Sequence, residues 1–354
     1  MRNILSYLLF LVICGSTCPA LAAPSEGDYI LRDFKFKDGE FLASLKMHYT
    51  VFGTPVKDAS GTTRNAVLIM HGTTGSSHQF IRPEFSGVLF GPGSLLDTTK
   101  YFIILTDDIG HGGSSKPSDG LHARFPQYGY QDMVEAEYRL ITEGLGVNHL
   151  RLVMGTSMGG MHTWLWGEIH SDFMDALMPL ASLPTQITGR NRVWRRMIID
   201  AIRYDPEWKD GDYTTQPQSL RIAAEVLFFM SSNPPLRQQE MPTLAESDTV
   251  LDRFVSAYMK HADANDVLYA VESSHDYDPG PELGNIKVPL LAVNSDDDLI
   301  NPPELRVLEK EIKRVPRGHY VIIPYSDKTR GHGTHTLAAV WKQYLEELLK
   351  ESAH

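Results

Sequence analysis

The sequence predicts an α/β fold: a mostly parallel central sheet flanked by helices, with an inserted helical cap. Three observations carry this. Short apolar runs alternate with helical stretches between about residues 65 and 182. The strand pattern then stops from about 183 to 285, and it resumes at Val288. The cap region is too long for a structureless loop, which argues for an inserted helical unit.

Taken in chain order, the first residues read as a secretory leader. Met1 and Arg2 give a positive start, residues 4–13 are an apolar run too brief to span a bilayer, and Ala20-Leu21-Ala22 is a small-residue cleavage pattern. Residues 1–22 are therefore expected to be a signal peptide that directs export to the periplasm or the medium. Cys14 and Cys18 both lie inside it, so the mature chain is expected to carry no thiol, disulfide or Cys-based metal site.

The first core part, residues 23–182, holds apolar runs at 66–70, 101–105, 150–154 and 176–180. Continuous runs of this kind suit strands buried on both faces, whose carboxyl ends form a ligand edge. Between the second and third runs, residues 130–145 place Met133, Val134, Ala136, Leu140, Ile141 and Leu145 at helical spacing, and Gly146 ends the helix. This is the crossover of a βαβ unit. In the cap, residues 183–285, helices are expected over 194–204, 219–230 and 248–261, separated by Pro, Asp, Gly and Asn. The second core part, residues 286–354, reads as a strand at 288–293, a helix at 304–314, a strand at 320–323 and a helix at 336–350.

The composition narrows the function classes. The 354 residues are 42% hydrophobic and 22% charged, which suits a globular core and excludes disorder. A formal net charge of −11 disfavours nucleic acid and anionic lipid as partners. No apolar run beyond the leader is long enough to cross a membrane, so no membrane insertion is expected after signal removal. The sequence leaves the oligomeric state open.

Gly155-Thr156-Ser157-Met158-Gly159 follows a strand and precedes a helix, the context of a nucleophile elbow. Glycines there permit a turn so tight that it pushes the Ser157 hydroxyl out over the sheet edge. The Met158 N–H, at a helix start, is a natural donor to an oxyanion. Asp298 lies just past the strand at 288–293, and His332 sits in a Gly331-His-Gly333 loop after the last strand. Ser, Asp, His is the chain order expected of a triad on this kind of sheet: His332 would take the Ser157 proton, and Asp298 would hold the imidazole in its tautomer. The neighbours Asp296 and Asp297 compete for the acid's place; Asp298 is favoured by its spacing to the Pro302-Pro303 pair. His335 is an alternative to His332. A metal bound by His332 and His335 lacks a Glu-x-x-His partner or a cysteine nearby, and the consecutive acids 296–298 cannot easily converge on one calcium ion. The second oxyanion donor is expected in His71-Gly72-Thr73-Thr74-Gly75, at the Thr73 N–H, with His71 supporting the loop. No phosphate-binding glycine loop is present, and no cofactor or metal is expected.

These motifs resemble the α/β-hydrolase superfamily and, within it, the homoserine O-acetyltransferase branch, over nearly all of residues 30–350. The resemblance rests on His71-Gly-Thr-Thr-Gly-Ser-Ser77, Gly155-Thr-Ser-Met-Gly-Gly-Met161, Asp205-Pro-Glu-Trp-Lys-Asp-Gly-Asp-Tyr213, and Asp298-Leu-Ile-Asn-Pro-Pro-Glu304 followed by Gly331-His332. Asp107-Asp-Ile-Gly-His-Gly-Gly-Ser114 is similar to a loop of the wider superfamily. The resemblance implies Ser157, Asp298 and His332 as triad, with the Thr73 and Met158 amides as oxyanion hole. Two departures stand out: transferases of this branch usually read His-Ala-Leu-Thr-Gly at positions 71–75, and Gln in place of His162. Arg190, Arg192, Arg195 and Arg196 are candidates to clamp an amino-acid carboxylate, against the alternative of a solvated basic face.

Export weighs against the transferase chemistry, because acyl-CoA and homoserine are cytosolic. The expected activity is an exported serine hydrolase that cleaves a small-molecule acyl ester, less readily an amide, through an acyl-enzyme. The alternatives are an acyltransferase and a non-catalytic binding protein on the same scaffold. Phe80, Phe85, Phe90, Trp164, Trp166, Phe228 and Phe229 are divided between an acyl pocket and plain core, with core favoured.

Overall fold

The computed structural model describes residues 23–353, so the leader read at 1–22 lies outside the described residues. Among these residues eight strands form one sheet: β1 (Ser25–Lys35), β2 (Phe41–Phe52), β3 (Ala66–Met70), β4 (Phe102–Thr106), β5 (Leu152–Thr156), β6 (Leu177–Leu180), β7 (Leu290–Ser295) and β8 (Gly318–Ile323). Their spatial order is β1-β2-β4-β3-β5-β6-β7-β8, with β2 antiparallel to both β1 and β4 and every other pair parallel. Among the described residues ten α-helices accompany them: α1 (Ser86–Leu89), α2 (Tyr130–Arg139), α3 (Met158–Ile169), α4 (Gly189–Arg203), α5 (Leu220–Met230), α6 (Pro234–Glu240), α7 (Leu244–Tyr258), α8 (Ala264–Glu272), α9 (Val307–Glu311) and α10 (Ala338–Glu351).

The apolar runs are continuous because both sheet faces are covered. In β3, Ala66, Leu68 and Met70 pack with Trp164 and Met133 on one side, while Val67 and Ile69 pack with Phe85 and Trp341 on the other. β4 alternates in the same way, Phe102 and Ile104 against Ile103 and Leu105. Helices α4 to α8 lie between β6 and β7 and bury a third cluster of their own, centred on Ile198, Ile202, Leu220 and Leu268.

The β1–β2 hairpin has no counterpart among the sequence expectations. Much of it faces solvent, so its residues alternate instead of forming a continuous apolar run. The helix expected over 130–145 is regular only to Arg139; residues 140–144 widen into a π turn before Gly146 turns the chain at φ +63°. The single helix expected over 304–314 is broken: Arg306 adopts a left-handed φ of 52° just after Pro302 and Pro303, leaving α9 flanked by two 3-10 turns. α6 and α8 were not expected, although Asn233 and Asp263 cap their first turns.

Candidate active site

Ser157 stands between β5 and α3 with φ 56° and ψ −109°, a strained conformation for a residue with a side chain. The turn is held from both sides, by Ser157 N–H donating to Leu180 O at 2.9 Å and Gly159 N–H donating to His71 O at 2.8 Å. Helix α3 can come this close only without side chains. A Cβ on Gly159 would stand 2.1 Å from Met70 O, and one on Gly155 would stand 2.2 Å from Gly159 O.

His332, in the loop before α10, brings Nε2 to 2.9 Å from Ser157 Oγ. Its Nδ1 lies 2.8 Å from Asp298 Oδ2. The arrangement fits Ser157 Oγ–H donating to Nε2 and Nδ1–H donating to the carboxylate. Asp298 is buried, and its Oδ1 accepts from the N–H groups of Ile300 at 2.8 Å and Asn301 at 3.2 Å. Burial pushes its carboxyl up, but the adjoining His332 ring, the Ile300 N–H and the Asn301 side chain outweigh this and hold it below the usual carboxylate range.

The rival residues have other partners. Asp297 accepts from Gly331 N–H at 2.9 Å and bonds Asn233 and Ser295, so it braces the loop beside His332. Asp296 is exposed. His335 packs edge-on to His332 at 5.1 Å between ring centres, and burial pushes it down to about 3.

Thr73 and Ser157 line the same cavity of about 330 Å³. The Thr73 carbonyl is pinned by His111 Nε2–H at 2.8 Å. His71 accepts from Asp108 N–H at Nε2, 3.2 Å, and donates from Nδ1 to Gly72 O, 2.8 Å. Burial pushes His71 down, in keeping with this neutral tautomer. Met158 opens α3, where the first N–H groups have no intrahelical acceptor. Gln79 also lines the cavity, donating to Thr156 Oγ1 at 2.8 Å; nothing in the sequence marked it.

None of the seven aromatic candidates lines this cavity, and the favoured reading as core holds for five of them. Phe80, Phe85, Phe90, Trp164 and Trp166 are core, Phe228 packs on Phe254, and Phe229 is 71% exposed. The aromatic walls come instead from Trp194, Phe254 and Tyr258 in α4 and α7. Of the four arginines, Arg190, Arg192 and Arg196 are exposed, whereas Arg195 is 2% exposed and lines the cavity. Its guanidinium stacks on Trp194 at 4.7 Å and donates to Asn191 and Ser274, with no carboxylate in ion-pair range among the described residues. A second cavity of about 490 Å³ adjoins the first across Thr73, Thr74, Leu227 and Tyr258.

The chain matches the family described as "alpha/beta hydrolase fold" over residues 65–327. It is similar to the homoserine O-acetyltransferase of Trichormus variabilis, 30% identical over 298 residues that span 76% of this chain and 79% of that protein. It is also similar to a probable acyltransferase of Methanothermobacter thermautotrophicus, 26% identical over 303 residues, 85% of this chain and 90% of the relative. Among solved structures, esterase E22 superposes with a TM-score of 0.81 at 19% identity, over 92% of this chain and 100% of that one. The homoserine O-acetyltransferase of Bacillus anthracis gives 0.80 at 22% identity, over 92% and 97%. The two superpositions are likenesses of fold.

Proposed function

The chain belongs to the α/β-hydrolase fold family, in its homoserine O-acetyltransferase-like branch of acyl-transfer enzymes, and from that premise we propose that it is an exported serine hydrolase that cleaves a small-molecule acyl ester. The observation that carries this is the hydrogen-bonded line from Ser157 Oγ through His332 to Asp298, opening onto a cavity. In this reading His332 Nε2 removes the Ser157 proton as Oγ attacks the acyl carbon, and Asp298 stabilises the imidazolium. The oxygen that gains charge is met by the N–H groups of Thr73 and Met158. Collapse expels the alcohol, which takes its proton from His332 and leaves an acyl group on Ser157. Water, deprotonated by the same imidazole, then releases the acid and restores the hydroxyl.

Water is the acceptor in this reading because the leader at 1–22 would carry the enzyme away from cytosolic acyl-CoA. No helix of the described residues is long and apolar enough to cross a membrane. A second reading, acyl transfer to an acceptor bearing a carboxylate, is favoured by Arg195: a buried guanidinium without an acidic partner fits an anionic group on a bound molecule. A chain-length series of p-nitrophenyl esters, assayed with the protein and its Ser157→Ala variant and with homoserine added in parallel, separates the readings. Hydrolysis that is indifferent to homoserine and falls at least about 10³-fold in the variant supports the hydrolase. Acyl-homoserine formation supports the transferase, and equal inertness of both proteins sinks the catalytic reading.

A further inference from the structure

A group of buried ionisable side chains lies behind the elbow and takes no direct part in the chemistry above. Asp108, Glu137 and His162 are fully buried, and they offer carboxylate and imidazole atoms all within 4.8 Å of one another. They come from three segments: Asp108 follows β4, Glu137 is in α2, and His162 is in α3, four residues after Met158.

Each of the two acids holds a different part of the site, Glu137 by its carboxyl and Asp108 by its main chain. Glu137 holds α3 on two successive turns, Oε1 accepting from His162 Nδ1–H at 3.0 Å and Oε2 from Trp166 Nε1–H at 2.7 Å. Asp108 holds the loop after β3: its N–H donates to His71 Nε2 at 3.2 Å, and its Oδ2 stands 3.7 Å from the same nitrogen. His71 in turn anchors Gly72 O, one residue before Thr73. Thus Asp108 is tied through its main-chain N–H to the segment bearing the Thr73 N–H, and Glu137 through its carboxyl to the helix bearing the Met158 N–H. The two carboxyls are within hydrogen-bonding reach of each other. As a carboxylate, Asp108 Oδ2 has no donor among the described residues. A proton shared with Glu137 satisfies it, whereas two carboxylates would leave it bare against a like charge.

We infer that a single proton held between Asp108 and Glu137 couples the two chain segments that carry Thr73 and Met158, making both acids positioning residues for the oxyanion hole. The inference rests on the serine-hydrolase reading above. Burial, with the Glu137 charge adding to it, pushes the Asp108 carboxyl well up, and burial pushes Glu137 up to about 7. The other ionisable groups around the pair supply no fixed cation. Burial pushes His71, His111 and His162 down towards their neutral forms. Burial pushes Tyr128 and Tyr130 up, so they stay neutral. Asp107, facing His71, and Asp276, facing His162, are further carboxyl groups. Glu137 gives up its proton first, near 7, and the proton left on Asp108, which the Glu137 charge holds there, is the shared one; its loss at more alkaline pH then sets two anions against each other in a dry interior, and the two donors move apart.

The test is the kcat–pH profile of the full protein on p-nitrophenyl acetate from about pH 6 to about 10, beside Asp108→Asn, Asp108→Ala and Glu137→Gln. The wild type is expected to lose kcat on the alkaline side, by roughly tenfold, with KM little changed. Asp108→Asn supplies a permanent N–H donor to Glu137, so it is expected to keep most of the neutral activity and to flatten the alkaline limb. Asp108→Ala, if it folds by circular dichroism, is expected to lose kcat at least tenfold at pH 7 without rescue by pH. If it does not fold, the Asn and Gln variants decide.

An alkaline limb unchanged in both Asp108→Asn and Glu137→Gln overturns the coupling. So does a stoichiometric divalent metal in elemental analysis of the purified protein, which would give the three side chains to an ion. Labelling of Ser157 by a fluorophosphonate is run alongside. Wild-type protein that is labelled and active, with unaltered variant profiles, rejects the coupling alone; protein that neither turns over ester nor takes the label rejects the hydrolase reading and the coupling with it.

Discussion

Two adjacent carboxylates, Asp297 and Asp298, show how one position in the chain decides a chemical role. Asp298 is buried and points its Oδ2 at His332 Nδ1, 2.8 Å away. Asp297 is taken up instead by Gly331 N–H, Asn233 and Ser295. An Asn in place of Asp298 keeps the size but presents an N–H or a neutral oxygen to the ring, which favours the wrong tautomer and removes the charge that stabilises the imidazolium. Asp298→Asn is therefore expected to lower kcat by about 10³–10⁴-fold while KM changes little. Asp297→Asn keeps an oxygen for the Gly331 N–H and is expected to stay within about tenfold of the parent kcat. Steady-state kinetics on one ester compares the two. Equal losses in both variants would falsify the assignment of Asp298 as the partner of His332.

Helix α3 is the element whose placement sets Ser157, and it is placed by backbone contact. Gly159 packs on Met70 of β3, and Gly160 on Leu180 and Ser182, so that a Cβ on Gly160 would stand 2.4 Å from Leu180 O. Gly159→Ala is expected to destabilise the fold by at least about 2–3 kcal/mol, because the clashing partner is main chain and cannot rotate away. Urea unfolding measures this, and a midpoint unchanged from the parent would show that α3 can slide. The elbow was legible in the sequence because its glycines and its position between strand and helix are local features. Ser157, Asp298 and His332 were legible by their order after particular strands. The cavity walls were not: Trp194, Phe254 and Tyr258 come from helices whose packing over the sheet leaves no periodic signature distinct from ordinary core. The hairpin of β1 and β2 escaped for a related reason, since one half-exposed pair of strands at a sheet edge carries a weaker pattern than strands buried on both faces. Arg195 looked like part of a basic face, and only its turn into the cavity separates it from Arg192 and Arg196.

At the scale of the whole molecule, the helices between β6 and β7 are tied to the sheet domain by carboxylates that reach across. Asp276 accepts from the N–H groups of Tyr130 at 2.8 Å and Gln131 at 3.1 Å, capping α2 from the returning end of the insertion. Asp266 of α8 accepts from Ser118 N–H at 2.9 Å and Ser118 Oγ–H at 2.6 Å, beside the larger cavity. Burial pushes Asp266 up to about 6 despite those bonds, so the tie is made with a group that resists its own charge. For an acid whose folded value is raised, the sign follows directly: there is no penalty below the unfolded value near 4, the penalty grows from there to about 6, and it is complete above that. Asn at this position keeps an acceptor for the Ser118 N–H, its amide can donate to Ser118 Oγ, and it never ionises. Asp266→Asn is thus expected to raise stability at pH 8 by on the order of 1–2 kcal/mol after solvent screening, about 2–4 °C in Tm. Near pH 4 the two proteins are expected to melt together. A Tm difference of the same size at both pH values would mean that packing, and not the buried charge, limits how firmly the helices are held over the site.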